Sequence, residues 1–249
     1  MRLPTTIFLL AMLVCPASWA GETLDRIVAS VDRHPITRSE VEQEARFTHL
    51  LQGEKGPVSS QEEITALGRL VDRSLVNNQI AVFGMVPVTK QEVENRLLDI
   101  RKQIPGAESE SNWAHLLEQS GLTQADVAGR VSQEIQTLRF IDLRFRSEVR
   151  VGPRALQTYY DTKFVPEMKS KNLPPPPLDQ VQDKIEAILR EERVNTLIGD
   201  WLKSLRSQSR IQTFDPALPL SGSEKKSPDV SDLHFLPLHI SGAAEAAKQ

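Results

Sequence analysis

Four times in this chain a serine or threonine stands three places ahead of an acid at the head of an apolar run. The segments are Thr37-Arg38-Ser39-Glu40, Ser60-Gln61-Glu62-Glu63, Thr89-Lys90-Gln91-Glu92 and Thr123-Gln124-Ala125-Asp126. Each reads as a helix start in which the hydroxyl accepts from a backbone N–H one turn on, while the acid reaches back to the cap's own N–H. Behind the second lie Ile64, Leu67, Val71 and Leu75, then Ile80 and Phe83, and Gly84 suits the left-handed stop. Val93, Leu97 and Ile100 follow the third, with Pro105 beyond, and Trp113, Leu116 and Leu117 mark a short helix closed by Gly121. The fourth opens the most regular stripe: Val127, Val131, Ile135, Leu138, Ile141 and Phe145. Such punctuation commits the body to helices.

Period-two alternation is confined to the two ends of this body. Leu24 to Val31 puts Ile27, Ala29 and Val31 on one face, which predicts a short half-buried strand, and Asp32-Arg33-His34-Pro35 reads as a turn. Arg210 to Phe214 reads as a closing strand. Between them, Val149 to Val151 reads as extended, and Pro153 suits the first turn of a short helix bearing Tyr159 and Tyr160. Residues 164–178 include Pro174 to Pro177 and read as a semi-rigid polyproline linker. From Leu178 a long helix carries Val181, Ile185, Ile188 and Leu189; its stripe shifts near Glu192 and resumes as Val194, Ile198, Trp201 and Leu205.

Residues 1–20 have Arg2, an apolar run from Ile7 to Val14, and Ser18 and Ala20 before a cut. This is the pattern of a secretory signal peptide cleaved after Ala20. The apolar run is about half of the ~20 residues that a spanning helix needs, so no stable membrane insertion is expected after cleavage. Cleavage also removes Cys15, the single cysteine. Residues 215–249, rich in proline, serine, alanine and charge, read as a disordered tail whose one apolar patch is His234 to Ile240.

The search for chemistry returns little. A net charge of −3 lacks the basic footprint of a general nucleic-acid binder. His34, His49, His115, His234 and His239 form no helical metal pair, and neither a nucleophile elbow nor a phosphate-binding loop occurs. The carboxylate pairs Glu62/Glu63 and Glu191/Glu192 read as solvated helix faces, and Arg139, Arg144, Arg146 and Arg150 as dipole-complementing charge or an acidic-partner site. No cofactor, metal or catalytic residue is expected. What remains is apolar and aromatic surface: Phe140 and Leu143 off the main stripe, then Tyr159, Tyr160, Phe164 and Met168, with Trp201 on the terminal helix. Tyrosine and methionine suit adaptable peptide contact.

The order of elements carries a resemblance. Asp25-Arg26-Ile27-Val28-Ala29-Ser30-Val31-Asp32 and Ile36-Thr37-Arg38-Ser39-Glu40-Val41 resemble the opening of SurA-type periplasmic chaperones. The likeness continues at Leu156-Gln157-Thr158-Tyr159-Tyr160, Pro177-Leu178-Asp179-Gln180-Val181, Trp201-Leu202-Lys203-Ser204-Leu205-Arg206 and Arg210-Ile211-Gln212. It implies a mainly α, peptide-binding body in which N- and C-terminal strands form a small β element and the long C-terminal helix packs back. The expected organisation is a signal peptide over 1–20, a helical chaperone domain over 21–163, a proline-rich linker over 164–178, a closing helix and strand over 179–214, and a tail over 215–249. Relatives of the parvulin type carry prolyl-isomerase domains between the tyrosine-bearing helix and the terminal helix. Here only Asp161 to Pro177 lie between them, too few for such a domain. The resemblance therefore implies an ATP-independent periplasmic chaperone for unfolded client polypeptides, without isomerase activity. Peptide contact falls to Phe140, Leu143, Tyr159, Tyr160, Phe164, Met168 and Trp201. A prolyl isomerase with a degenerate site and an envelope scaffold are the alternatives.

Overall fold

A computed structural model describes residues 25–54 and 56–220. The expected signal peptide over 1–20, the 234–240 patch and the part of the expected tail beyond residue 220 lie outside the described residues.

Strand β1 (Ile27–Val31) pairs antiparallel with β2 (His34–Thr37) and with β3 (Ile211–Thr213), in the order β2-β1-β3. The chain between Val31 and His34 turns through Asp32, whose φ of 54° is one that aspartate tolerates well. The expected turn over 32–35 is thus shorter: Pro35 sits inside β2 and pairs with Ser30. Proline is admissible there because β2 is an edge strand. The expected single apolar face of β1 is corrected as well. Ile27 is 47% exposed, whereas Val28, Ala29 and Val31 are buried. A break in register between Ile27 and Ala29 rotates the start of the strand out of alternation.

Helix α1 (Arg38–Leu51) starts from the cap of Thr37 and Glu40, and α2 (Ser60–Phe83) from Ser59 and Glu62. The cap lies one residue before the Ser60/Glu63 pair read from sequence, because Glu63 is drawn to Arg38 at 2.5 Å. Gly84 closes α2 with φ 64°. Helix α3 (Lys90–Gln103) and α5 (Gln124–Ile141) begin at Thr89 and Thr123 as their sequences specify. Helix α4 (Glu110–Gln119) has a simpler cap, Ser109. A π-turn (Asp142–Arg146) extends α5, with the Ser147 N–H donating to the Asp142 carbonyl at 3.2 Å. This wider turn lets Ile141, Phe145 and Val149 all face inward at steps of four.

Among the described residues Val149 to Val151 pairs with no strand. Helix α6 (Pro153–Tyr159) runs into a second π-turn (Tyr160–Phe164) and then α7 (Val165–Ser170). The stretch expected as a linker over 164–178 is therefore helical to Ser170, Lys171 and Asn172 make a turn, and only Leu173 to Pro177 lie outside helix and turn before the next helix begins. Pro166 stands where the second π-turn gives way to α7, in backbone that is helical on both sides. Helix α8 (Leu178–Gln208) is continuous, and its buried positions are Val181, Ile185, Val194, Ile198 and Leu202. The shift of stripe near Glu192 reflects a change of neighbours, from α6 to α2 and the first π-turn.

Among the described residues the core forms four buried clusters. Phe47, Ile100, Trp113, Val127 and Val131 join α1, α3, α4 and α5. Val28, Val31, Leu67, Val71 and Leu218 join the sheet to α2. Val76, Phe140, Ile141, Val194 and Leu202 join α2, α5 and α8, and Leu156, Val181 and Ile185 join α6 and α8. Leu218 and Asp215 are buried, so the expected start of the tail at 215 is corrected. Asp215 accepts from Arg26 at 2.5 Å, and Phe214 N–H donates to Val28 O at 2.8 Å, carrying the chain across the sheet past β3.

Candidate functional site

The residues proposed for peptide contact fall into two groups along α8. In the first, Phe140 stands edge-on to Phe83, with ring centroids 5.3 Å apart, and lies 5.6 Å from Trp201. Phe145 lies 5.3 Å from the other side of Trp201, and the Arg144 guanidinium caps both rings at 5.5 and 5.6 Å. Phe140 is 1% exposed and belongs to the core. It lies beside Ile141 on the inward side of α5, so its assignment to client contact is corrected. Trp201 is half-buried in the same stack. Leu143 alone of this set projects outward, at 60% exposure, from the first π-turn.

The structure adds residues that sequence periodicity hid. Val82, Phe83 and Val86 end α2 and enter the following loop while remaining exposed. Arg139 holds this loop by bonding to Glu92 and reaching the Val86 carbonyl at 3.5 Å. Phe83 reads from sequence as the last member of a core stripe, yet Gly84 ends the helix there and the edge-on contact with Phe140 leaves it 49% exposed. The one available signal was Val82, an apolar residue off the stripe.

In the second group Tyr160 and Phe164 stack at 5.7 Å across the second π-turn, and both pack on Leu156, Val181 and Ile185. The Tyr160 hydroxyl donates to the Pro176 carbonyl at 2.7 Å, so this side chain anchors the proline run. Tyr159 is placed differently. Together with Arg154, Ala155, Thr158, Lys163 and Leu189 it lines a shallow groove of about 630 Å³. Lys163 lies 5.2 Å over its ring, and burial pushes its hydroxyl pKa up. Met168 is half-buried on α7.

Of the basic residues, Arg146 grips Glu191 bidentately at 2.9 Å, so one member of that carboxylate pair serves an ion pair, and Glu192 meets Lys163 at 3.4 Å. Glu62 accepts from His49 Nδ1 at 2.8 Å, and Glu54 lies 3.3 Å from the same nitrogen. The Ser59 cap, then His49, hold the Glu62 carboxyl down at about 2. Among the described residues, His49, Glu54 and Glu62 are the group whose ligand atoms converge within 4.8 Å. Its chemistry fits a metal poorly: His49 Nε2 is buried without a partner, whereas a metal-bound histidine anchors its second nitrogen. The trio reads as a hydrogen-bonded charge cluster tying α1 to α2.

Comparison with known protein families and with characterised proteins returns no match for this chain. Among the described residues no helix is long and apolar enough to cross a membrane. The structure thus defines a mainly helical protein closed by a three-stranded antiparallel sheet.

Proposed function

We propose that this protein is an exported, ATP-independent holding chaperone that binds extended client polypeptides in outer-membrane or secreted protein biogenesis, without isomerase chemistry. The observation that carries the reading is the exposure of Val82, Phe83, Val86 and Leu143 where α2 ends and α5 gives way to a π-turn. Exposed apolar side chains offer weak, sequence-tolerant contacts to unfolded chains, and Phe83 among them adjoins the aromatic stack. They would keep aggregation-prone strands apart. The groove beside Tyr159 supplies a second point of contact along the same long helix. The pairing of β1, ahead of the helices, with β3, behind them, supports the likeness to a chaperone body whose helical part closes on itself.

The test is suppression of light scattering by several unrelated unfolded clients, with a proline-isomerisation assay in parallel. Protection across clients without turnover supports the reading. Clear turnover, or binding restricted to one partner, overturns it.

A further inference from the structure

A second cavity, about 490 Å³, opens between α1, α2, α5 and the edge strand β2. That is within the ~300–1,000 Å³ of ordinary ligand sites. Its character is unlike the apolar surfaces above. Gln43 from α1, Asn77 and Asn78 from α2 and Gln133 from α5 present four carboxamides to it. Among the described residues none of the four has a hydrogen-bond partner in the protein. No Trp, Tyr or Phe lines the cavity, and the His34 imidazole is its one aromatic ring.

We infer that this cavity binds the main chain of an extended polypeptide through paired carboxamide contacts. The inference rests on the chaperone reading and gives it a polar subsite. A carboxamide carries donors and an acceptor on one planar group, which is the complement of a peptide unit. Recognition of that unit is indifferent to the client's side chains. The wall formed by β2 does not do this work itself. Pro35 has no N–H, and the Thr37 N–H is spent on Glu40 at 2.7 Å, so a client cannot add to the sheet as a full strand. Behind the carboxamides, the Arg73 and Arg130 head groups are held by the buried Glu44, which fixes the cavity's back wall. Gly129 on α5 borders the same space, and a Cβ added there would meet nothing within 4 Å.

The experiment uses the full mature chain and a labelled ten-residue peptide of Ala, Ser and Val, compared with its analogue in which alternate amides are esters. Fluorescence anisotropy is expected to show about fivefold or greater weakening of the ester analogue, the size of one lost hydrogen bond. Gly129→Leu fills the cavity with a better helix former and is expected to weaken the amide peptide to the ester's level. Asn77→Leu with Gln133→Leu is expected to abolish the amide–ester difference, with circular dichroism verifying the fold. Equal binding of amide and ester by the unaltered protein, or undiminished binding by folded Gly129→Leu, overturns the inference. So does displacement by an oligosaccharide with no amide–ester difference. If Leu143→Asp alone abolishes client protection while the ester makes no difference, the chaperone reading stands and the carboxamide site falls. If no client is protected but the ester difference persists, the site stands and the chaperone reading falls.

Discussion

Arg206, near the end of α8, donates from Nε and a terminal nitrogen to the two carboxylate oxygens of Asp72 at 2.7 and 2.8 Å. The two residues are 134 positions apart, and the Asp72 side chain is 4% exposed. A two-point contact fixes the rotation of α8 on α2 as well as its distance, which nonspecific apolar packing does not. It places Leu205 against the sheet cluster and Leu202 against the aromatic stack at the same time.

Removing one member of this pair takes from the other a two-point charge partner in a largely buried site. Asp72→Ala is expected to lower unfolding free energy by about 3 kcal/mol in urea titrations. Deletion of residues 178–214 is expected to abolish cooperative melting of the whole chain, since α8 and β3 contribute to three of the four clusters. A shortened chain that melts as sharply as the full protein would contradict this.

Two buried glutamates on neighbouring helices are expected to respond in different degrees to loss of charge. Burial pushes Glu44 up, but Arg73 and Arg130 outweigh it and hold its carboxyl below the ordinary value. Burial also pushes Glu134 up, and there Arg96 fails to compensate, with one carboxylate oxygen left unpartnered. Glu44→Gln is expected to cost about 3–5 kcal/mol, since two arginines lose their counter-charge. Glu134→Gln is expected to cost clearly less. Thermal melts of the two variants at pH 7 check the order.

Acid sensitivity follows from Glu62. Its folded-state pKa of about 2 lies below the ordinary 4.5. A depressed carboxyl contributes stability above its unfolded value and loses it as the folded value is approached. The contribution is therefore complete above about pH 5 and fades between 4.5 and 2. Ser59→Ala is expected to cost about 1 kcal/mol at neutral pH and to flatten this acid limb. A pH series of melting temperatures for both proteins tests it.

Client protection is expected to depend on the exposed end of α2 and the first π-turn. Val82→Asp and Leu143→Asp change exposed positions and are expected to leave stability within about 0.5 kcal/mol. Suppression of client aggregation is expected to fall several-fold in the double variant. Unchanged protection, with melting temperature also unchanged, would remove this surface from the mechanism.

Much of the fold was legible in the sequence because its signals are local. A capping box is satisfied within four residues, so Thr37, Thr89 and Thr123 specified helix starts that the structure reproduces. Even there, Ser59 displaced Ser60 because Arg38, from another helix, engaged Glu63. The candidate site was less legible. Phe140 lay off the stripe read from spacing, and its burial followed from Phe83 and Trp201 arriving from elements far along the chain.

The sequence by itself determined that this protein is helical, where most of its helices begin, and that short strands lie at both ends of the body. Those are decisions of three to five residues, taken by hydroxyls, acids, glycines and prolines acting on adjacent backbone. Only the tertiary structure decided which apolar side chains stay outside, that Leu218 joins the core, and that four carboxamides from three helices face one cavity. Exposure and convergence are properties of neighbours, and neighbours are set by how α8 is locked to α2 and the sheet.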